Sequence, residues 1–299
     1  MKRSYFTPIL FAIILMAYAV TGLNAFSLDL FKKGLPSREA GVIGTALKQG
    51  MKASRPISSD EEYYIGRAVA AKIISLYPLL EKDSLIEYIN LVGQIVALNS
   101  NKPFTYGGYH FAILDTNEVN AFACPGGIIF ITRGMLNIIQ NEDELAAILA
   151  HEVAHINNQD GISSIKQSRW TEALTIIGAR AVKEYGAQEL SRLVSIFEGS
   201  IDDVFKTLVV NGYGQSQEYS ADEAAASYLT KAGYNPSALK DFLERLMGYG
   251  KTSGGGILKT HPATAERIEN IKQKTTEVKI DASSFQYRTQ RFKSSLTHN

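Results

Sequence analysis

One cysteine, Cys124, in 299 residues excludes an intramolecular disulfide framework and a cysteine-rich structural metal cluster. It sits in an apolar stretch, Ala121-Phe122-Ala123-Cys124, where a small buried side chain that packs is the plain reading and a nucleophile the weaker one. Charge of either sign is also missing in excess: 31 basic residues stand against 30 acidic ones, with no basic run outside Lys2-Arg3, so nucleic acid is not an expected partner. Long apolar runs are absent as well. The longest, from Ile9 to Val20, is short of the about 20 residues that a membrane-spanning helix needs. Histidine is scarce, five in all, which makes any clustering of histidines informative.

At 45% hydrophobic residues the chain can bury one good core. Lys2 and Arg3 ahead of Ile9 to Val20 read as an export signal, residues 1–25, with cleavage expected after Ala17-Tyr18-Ala19 or Leu23-Asn24-Ala25. An N-terminal anchor is the alternative, and with it membrane association through this segment. Residues 26–58, with Gly34, Pro36, Gly41, Gly44, Gly50 and Pro56, read as a linker or surface arm.

Folding proper is expected from Ser59, where Ser59-x-x-Glu62 forms a capping box ahead of Ile65, Val69 and Ile73 on one helical face. Leu85, Ile89, Val92 and Val96 form a second helical stripe. Between Tyr106 and Arg133 the pattern becomes extended: Tyr109 to Leu114, a polar turn at Asp115 to Glu118, then Ile128 to Thr132 after Gly126-Gly127. A small antiparallel sheet is expected here. A third apolar stripe, Leu190 to Leu208, predicts a helix that packs on the core or covers a cleft, and Gly254-Gly255-Gly256 predicts a flexible loop ahead of His261. Residues 276–299 are polar and weakly patterned and read as a tail.

The chemistry concentrates in His151-Glu152-Val153-Ala154-His155. On a helix, residues four apart share a face, so both imidazoles can grip one metal ion while Glu152 stands beside it as a general base. Asn141 followed by Glu142, Asp143 and Glu144 supplies the start of such a helix, and Ile148, Leu149, Ala150, Val153 and Ala154 predict that it is buried. Two histidines do not complete a catalytic zinc site. In Glu218-Tyr219-Ser220-Ala221-Asp222 two carboxylates lie four apart among small residues: Glu218 suits a third ligand, and Asp222 suits the second ring N–H of a ligand histidine, His151 first. Taken alone, the same acids would read as an exposed helix start.

These motifs together resemble the M48 family of zinc metallopeptidases in its soluble, exported branch. The resemblance spans residues 59–275 and rests on Asn120-Ala121-Phe122-Ala123-Cys124-Pro125-Gly126-Gly127, on Ile131-Thr132-Arg133-Gly134, on His151 to His155, on Glu218-x-x-x-Asp222, and on Thr260-His261-Pro262 with Glu266-Arg267-Ile268. It implies a gluzincin-like α+β fold, predominantly helical, with the small antiparallel sheet beside the active-site helix. It also implies one zinc ion per chain on His151, His155 and Glu218, and a substrate edge strand at Asn120 and Ala121. His261 is then a candidate gate or fourth ligand, and Arg267 a candidate support for its segment. The expected activity is endopeptidase cleavage of extended or misfolded exported proteins in the periplasm. The alternative is an envelope chaperone or assembly factor that binds unfolded strands, with proteolysis secondary. Substrate identity, cleavage specificity and oligomeric state have no signature in the chain.

Overall fold

The computed structural model describes residues 57–165, 169, 172–173, 187–249, 256–262, 264–275 and 281–297. The expected signal segment 1–25, nearly all of the 26–58 arm, His298 and most of the Gly248 to Gly256 loop lie outside the described residues.

Two helices come first, α1 (Ser59–Ile74) and α2 (Asp83–Leu98). The expected stripes are their buried faces: Ile65, Val69 and Ile73 on α1, and Leu85, Ile89, Val92 and Val96 on α2. The cap of α1 falls one residue earlier than its sequence suggests. Glu61 accepts the Ser58 N–H at 2.9 Å, so Glu62 is released from capping and points inward, 1% exposed.

The sheet follows as β1 (His110–Leu114), β2 (Ala121–Cys124) and β3 (Ile128–Thr132) in the spatial order β1-β3-β2. It is mixed rather than antiparallel. β2 and β3 form an antiparallel hairpin across Pro125–Gly127, with Phe122 opposite Phe130, whereas β1, expected to be antiparallel, pairs in parallel with β3, Ala112 opposite Phe130. The reason is the 115–120 connection: it carries the chain from β1 past the central position to the far edge, so the return strand β3 fills the gap in the direction of β1. Side chains alternate between the two faces. Phe111, Ile113, Ala121, Ala123, Ile129 and Ile131 join α2 in one core, while Leu114, Phe122, Cys124 and Phe130 join α1 in a second.

A short helix α3 (Arg133–Ile138) is capped by Thr132 and leads to α4 (Glu142–Asn157), which carries the H-E-x-x-H sequence. Asn141 caps α4 by accepting the Glu144 N–H at 2.9 Å. The helix is buried along nearly its whole length, in the first core, so packing fixes the rotamers of whatever it presents. After it come the one-turn helix α5 (Asp160–Ser163) and α6 (Ala187–Lys206), whose Phe197 and Val204 enter the second core with α1. A π-type turn, Thr207–Asn211, carries the chain to Gly212, at φ 78°. A left-handed glycine is required there: a Cβ would meet the Thr260 carbonyl oxygen at 2.4 Å.

α7 (Gln215–Ala232) then lies against α4, its buried Ala221, Ala225 and Ala226 allowing close approach. The fold finishes with α8 (Ala238–Tyr249), α9 (Ile257–Thr260), α10 (Ala265–Lys274) and α11 (Ala282–Thr297). α11 corrects the expectation of a polar tail. Phe292, 1% exposed, docks beside Tyr88, and Arg288 and Arg291 pair with Asp143 and Glu142 at the start of α4. Arg245 of α8 pairs with Glu144 at 2.6 Å. Three buried acids therefore each find an arginine, which makes their burial tolerable.

Candidate metal centre

Four side chains from three parts of the fold converge between α4, α7 and α9. His151 and His155 come from adjacent turns of α4, Glu218 from the first turn of α7, and His261 from the residue after α9. All four are buried, and one potential ligand atom from each lies within 4.8 Å of the others. His151 Nε2 is 3.0 Å from His155 Nε2 and 3.3 Å from His261 Nδ1. Glu218 places its oxygens 3.4 Å from His151 Nε2 and from His155 Nε2, and 2.9 Å from His261 Nδ1.

The donor set fits a small divalent cation. Tetrahedral sites with metal–ligand bonds of about 2.0–2.1 Å have ligand–ligand edges of roughly 3.4 Å, and the ligand atoms here lie 2.9–3.4 Å apart. Imidazole nitrogens facing one another at 3.0 Å need a proton or a cation between them.

Around these atoms a second layer fixes their orientation. His151 Nδ1 is 3.0 Å from Asp222 Oδ1, the carboxylate expected to face it, although the contact is off the line of a strict hydrogen bond. Arg267 forks onto Asp222 at 2.8 and 2.6 Å, lies 2.7 Å from Glu218 Oε2 and donates to the Pro262 carbonyl at 3.0 Å. It thus ties the His261 segment to α7 while 98% hidden from solvent, its exposure being 2%.

Electrostatics follow from these contacts. Burial disfavours the charged His151 imidazole, but Asp222 and Glu218 reverse this and raise its pKa to about 10. For Glu218 burial acts upward, and His261, His151 and His155 outweigh it, holding the carboxyl well below the usual range. Asp222 is lowered in the same way, with Arg267 and His151 overcoming burial. A pocket that stabilises imidazolium beside carboxylate also stabilises a metal cation in its place.

Glu152 is 1% exposed, and neither of its carboxylate oxygens has a hydrogen-bond partner; Oε1 is 3.8 Å from His261 Nε2. A buried carboxylate without a hydrogen bond is costly, and its place beside the converging ligand atoms suits a group that handles a proton there. Asn120 and Ala121 lie where β2 begins, on an edge strand. Their polar groups are engaged by the chain itself: the Asn120 side chain accepts the Ala121 N–H at 2.9 Å and Thr260 Oγ1 at 3.3 Å, and the neighbouring Val119 carbonyl accepts the Ile257 N–H at 2.7 Å. His110 is exposed, bonded to the Gly107 carbonyl, and outside the cluster.

Two residues escaped the sequence reading. Asp160 Oδ2 bonds His155 Nδ1 at 2.7 Å, and its Oδ1 accepts Gln217 Nε2 at 3.2 Å. Its signal was the Asp160-Gly161 turn five residues after His155. Tyr213 stacks on His155 with centroids 4.1 Å apart and planes 24° from parallel, its buried hydroxyl unpartnered. Its signal was an aromatic residue between Gly212 and Gly214.

A buried His-His-Glu-His cluster with an adjacent unpaired glutamate, set on a mostly helical α+β frame with a three-stranded sheet, defines a metallopeptidase. The chain belongs to peptidase family M48, whose family model matches residues 86–275. It is 24% identical over 232 residues to the beta-barrel assembly-enhancing protease of Escherichia coli (strain K12), covering 77% of this chain and 47% of that protein. It is 28% identical over 240 residues to a putative beta-barrel assembly-enhancing protease of Vibrio cholerae, covering 76% and 47%. The metalloprotease LoiP of Escherichia coli (strain K12) matches at 24% over 165 residues, 55% of this chain and 62% of that one. The chain spans about half the length of the beta-barrel assembly-enhancing proteases it matches.

Proposed function

We propose that the chain is a zinc endopeptidase in which His151, His155 and Glu218 hold the metal and Glu152 is the general base. The observation that carries this reading is the unpartnered, buried Glu152 carboxylate beside convergent ligand atoms. Zinc bound there supplies Lewis acidity, polarising a carbonyl and lowering the pKa of water beside it to about 7. Glu152 takes a proton as the water oxygen bonds to the scissile carbonyl carbon, then gives it to the amine nitrogen as the C–N bond breaks. Asp222 and Asp160 hold the two imidazoles so that their metal-facing nitrogens stay unprotonated.

The substrates are extended or misfolded exported proteins, bound as a strand along β2, whose edge can pair with any peptide backbone. Export to the periplasm fits the 1–25 segment, which can also associate with the membrane. Among the described residues no helix is long and apolar enough to cross a membrane. The relatives named for β-barrel assembly support strand-forming envelope proteins as the clients. His261 closes the fourth ligand position and Thr260 engages Asn120, so this arrangement is a latent state that substrate must open.

The test is cleavage of an unfolded and a folded form of one exported protein by the parent, Glu152→Gln and His261→Ala. The reading expects only the unfolded form to be cut, no cutting by Glu152→Gln, and faster basal cutting by His261→Ala. Cellular function retained in Glu152→Gln would favour the chaperone alternative.

A further inference from the structure

Glu62 lies on α1, far upstream of the H-E-x-x-H helix and outside the 86–275 family match, yet its buried carboxylate bonds Gln159, the residue before Asp160. Oε2 accepts Gln159 Nε2 at 2.8 Å, and Oε1 accepts the Gly126 N–H at 3.3 Å, in the turn between β2 and β3. Lys102 balances the charge at 3.3 Å.

Gln159 is the unusual partner. At φ 58° and ψ 32° it is left-handed, the sole non-glycine with positive φ among the described residues. The Gln159 N–H bonds the Ile156 carbonyl at 3.1 Å, as in a left-handed helix cap. An L side chain is nevertheless strained in this conformation where glycine is not, so a contact that holds the side chain helps keep the turn. The left-handed turn has a consequence for the metal centre. α4 ends at Asn157, and the reversal at Gln159 starts α5 so that Asp160 points back to His155 Nδ1 at 2.7 Å. The same Asp160 bonds Gln217, the residue before Glu218. A slack turn at Gln159 would free Asp160 and loosen both α4 and α7 ligands at once.

We infer that Glu62 is a positioning residue of the metal centre: through Gln159 it locks the left-handed turn that holds Asp160 on His155. The inference rests on the reading of His151, His155 and Glu218 as metal ligands. Carboxylates that orient ligand histidines typically contribute 10–100-fold to metal affinity, and Glu62 acts one bond further out, so the low end applies.

The test measures zinc affinity by chelator competition on the purified full chain and on Glu62→Ala, Gln159→Gly and the double variant, with urea midpoints alongside. Glycine enters the left-handed region without help, so Gln159→Gly removes the need for Glu62. The expected result is an about tenfold loss in Glu62→Ala, near-parental affinity in Gln159→Gly, and no further loss when Glu62→Ala is added to it. If Glu62 only props up the fold through Gly126 or Lys102, Glu62→Ala costs the same in both backgrounds; that result, or no loss at all, overturns the inference. Should Glu62→Ala not fold, Glu62→Gln serves: its single carbonyl oxygen cannot serve all three donors, and a several-fold loss that Gln159→Gly abolishes is expected. A parent that takes up no zinc overturns the ligand reading instead, a failure distinct from this one.

Discussion

Arg267→Ala is the perturbation whose cost the structure sets most directly. The guanidinium is 2% exposed and is the cation facing two carboxylates that are themselves 1% exposed, Asp222 through two hydrogen bonds and Glu218 at 2.7 Å. Truncation leaves both acids buried without that partner, and losing one member of a buried ion pair costs about 3–5 kcal/mol. For a domain of this size that is a fall in Tm of roughly 6–20 °C. Arg267→Lys keeps the charge but loses the fork, so it should fall between parent and alanine variant. The assay is urea unfolding followed by circular dichroism in excess chelator, because bound metal would offset the exposed charge and mask the loss. A loss below about 1 kcal/mol for Arg267→Ala would refute the argument that this arginine neutralises the acids behind the metal site.

Zinc uptake should release at least one proton at pH 7.5, seen as a dependence of the calorimetric heat on buffer ionisation enthalpy, because the His151 pKa is raised to about 10 by Asp222 and Glu218 against burial. The sign follows: in chelator, the His151 contribution to stability is complete below its unfolded value of about 6.5 and is lost as pH rises toward 10. Cys124, fully buried with its thiol pushed up by burial, should resist alkylation in the native protein and react stoichiometrically in urea; fast native reaction would contradict its place in the core. Phe292→Ala should cost about 3–5 kcal/mol of α11 docking and expose the C-terminal segment to limited proteolysis, with unchanged digestion as the contrary result.

What the sequence reveals and what it hides divide along the range of the contacts. The α4 site is legible because helical spacing alone brings His151, Glu152 and His155 together, and the Glu218–Asp222 pair repeats that logic on a second helix. The strands at 109–114 and 128–132 are legible from their β-branched, apolar pattern, whereas the direction of β1 depends on a crossover that no local pattern records. α11 reads as a tail because its anchors are arginines, and their partners Glu142 and Asp143 stand far away in sequence as what look like ordinary acids at a helix start. Glu62 reads as a capping residue for a similar reason: two Ser/Glu pairs, Ser58 with Glu61 and Ser59 with Glu62, share the spacing, and only the packing of α1 selects the first. Asp160 acts through a left-handed turn at Gln159, a conformation that a glutamine does not advertise.

The most direct test of the central claim is zinc content and casein cleavage measured side by side on the purified parent and on Glu152→Gln. One zinc in each protein with cleavage only by the parent is the predicted result: the ligands hold the metal, and Glu152 moves the proton. Absence of zinc from both, or undiminished cleavage by Glu152→Gln, would contradict it.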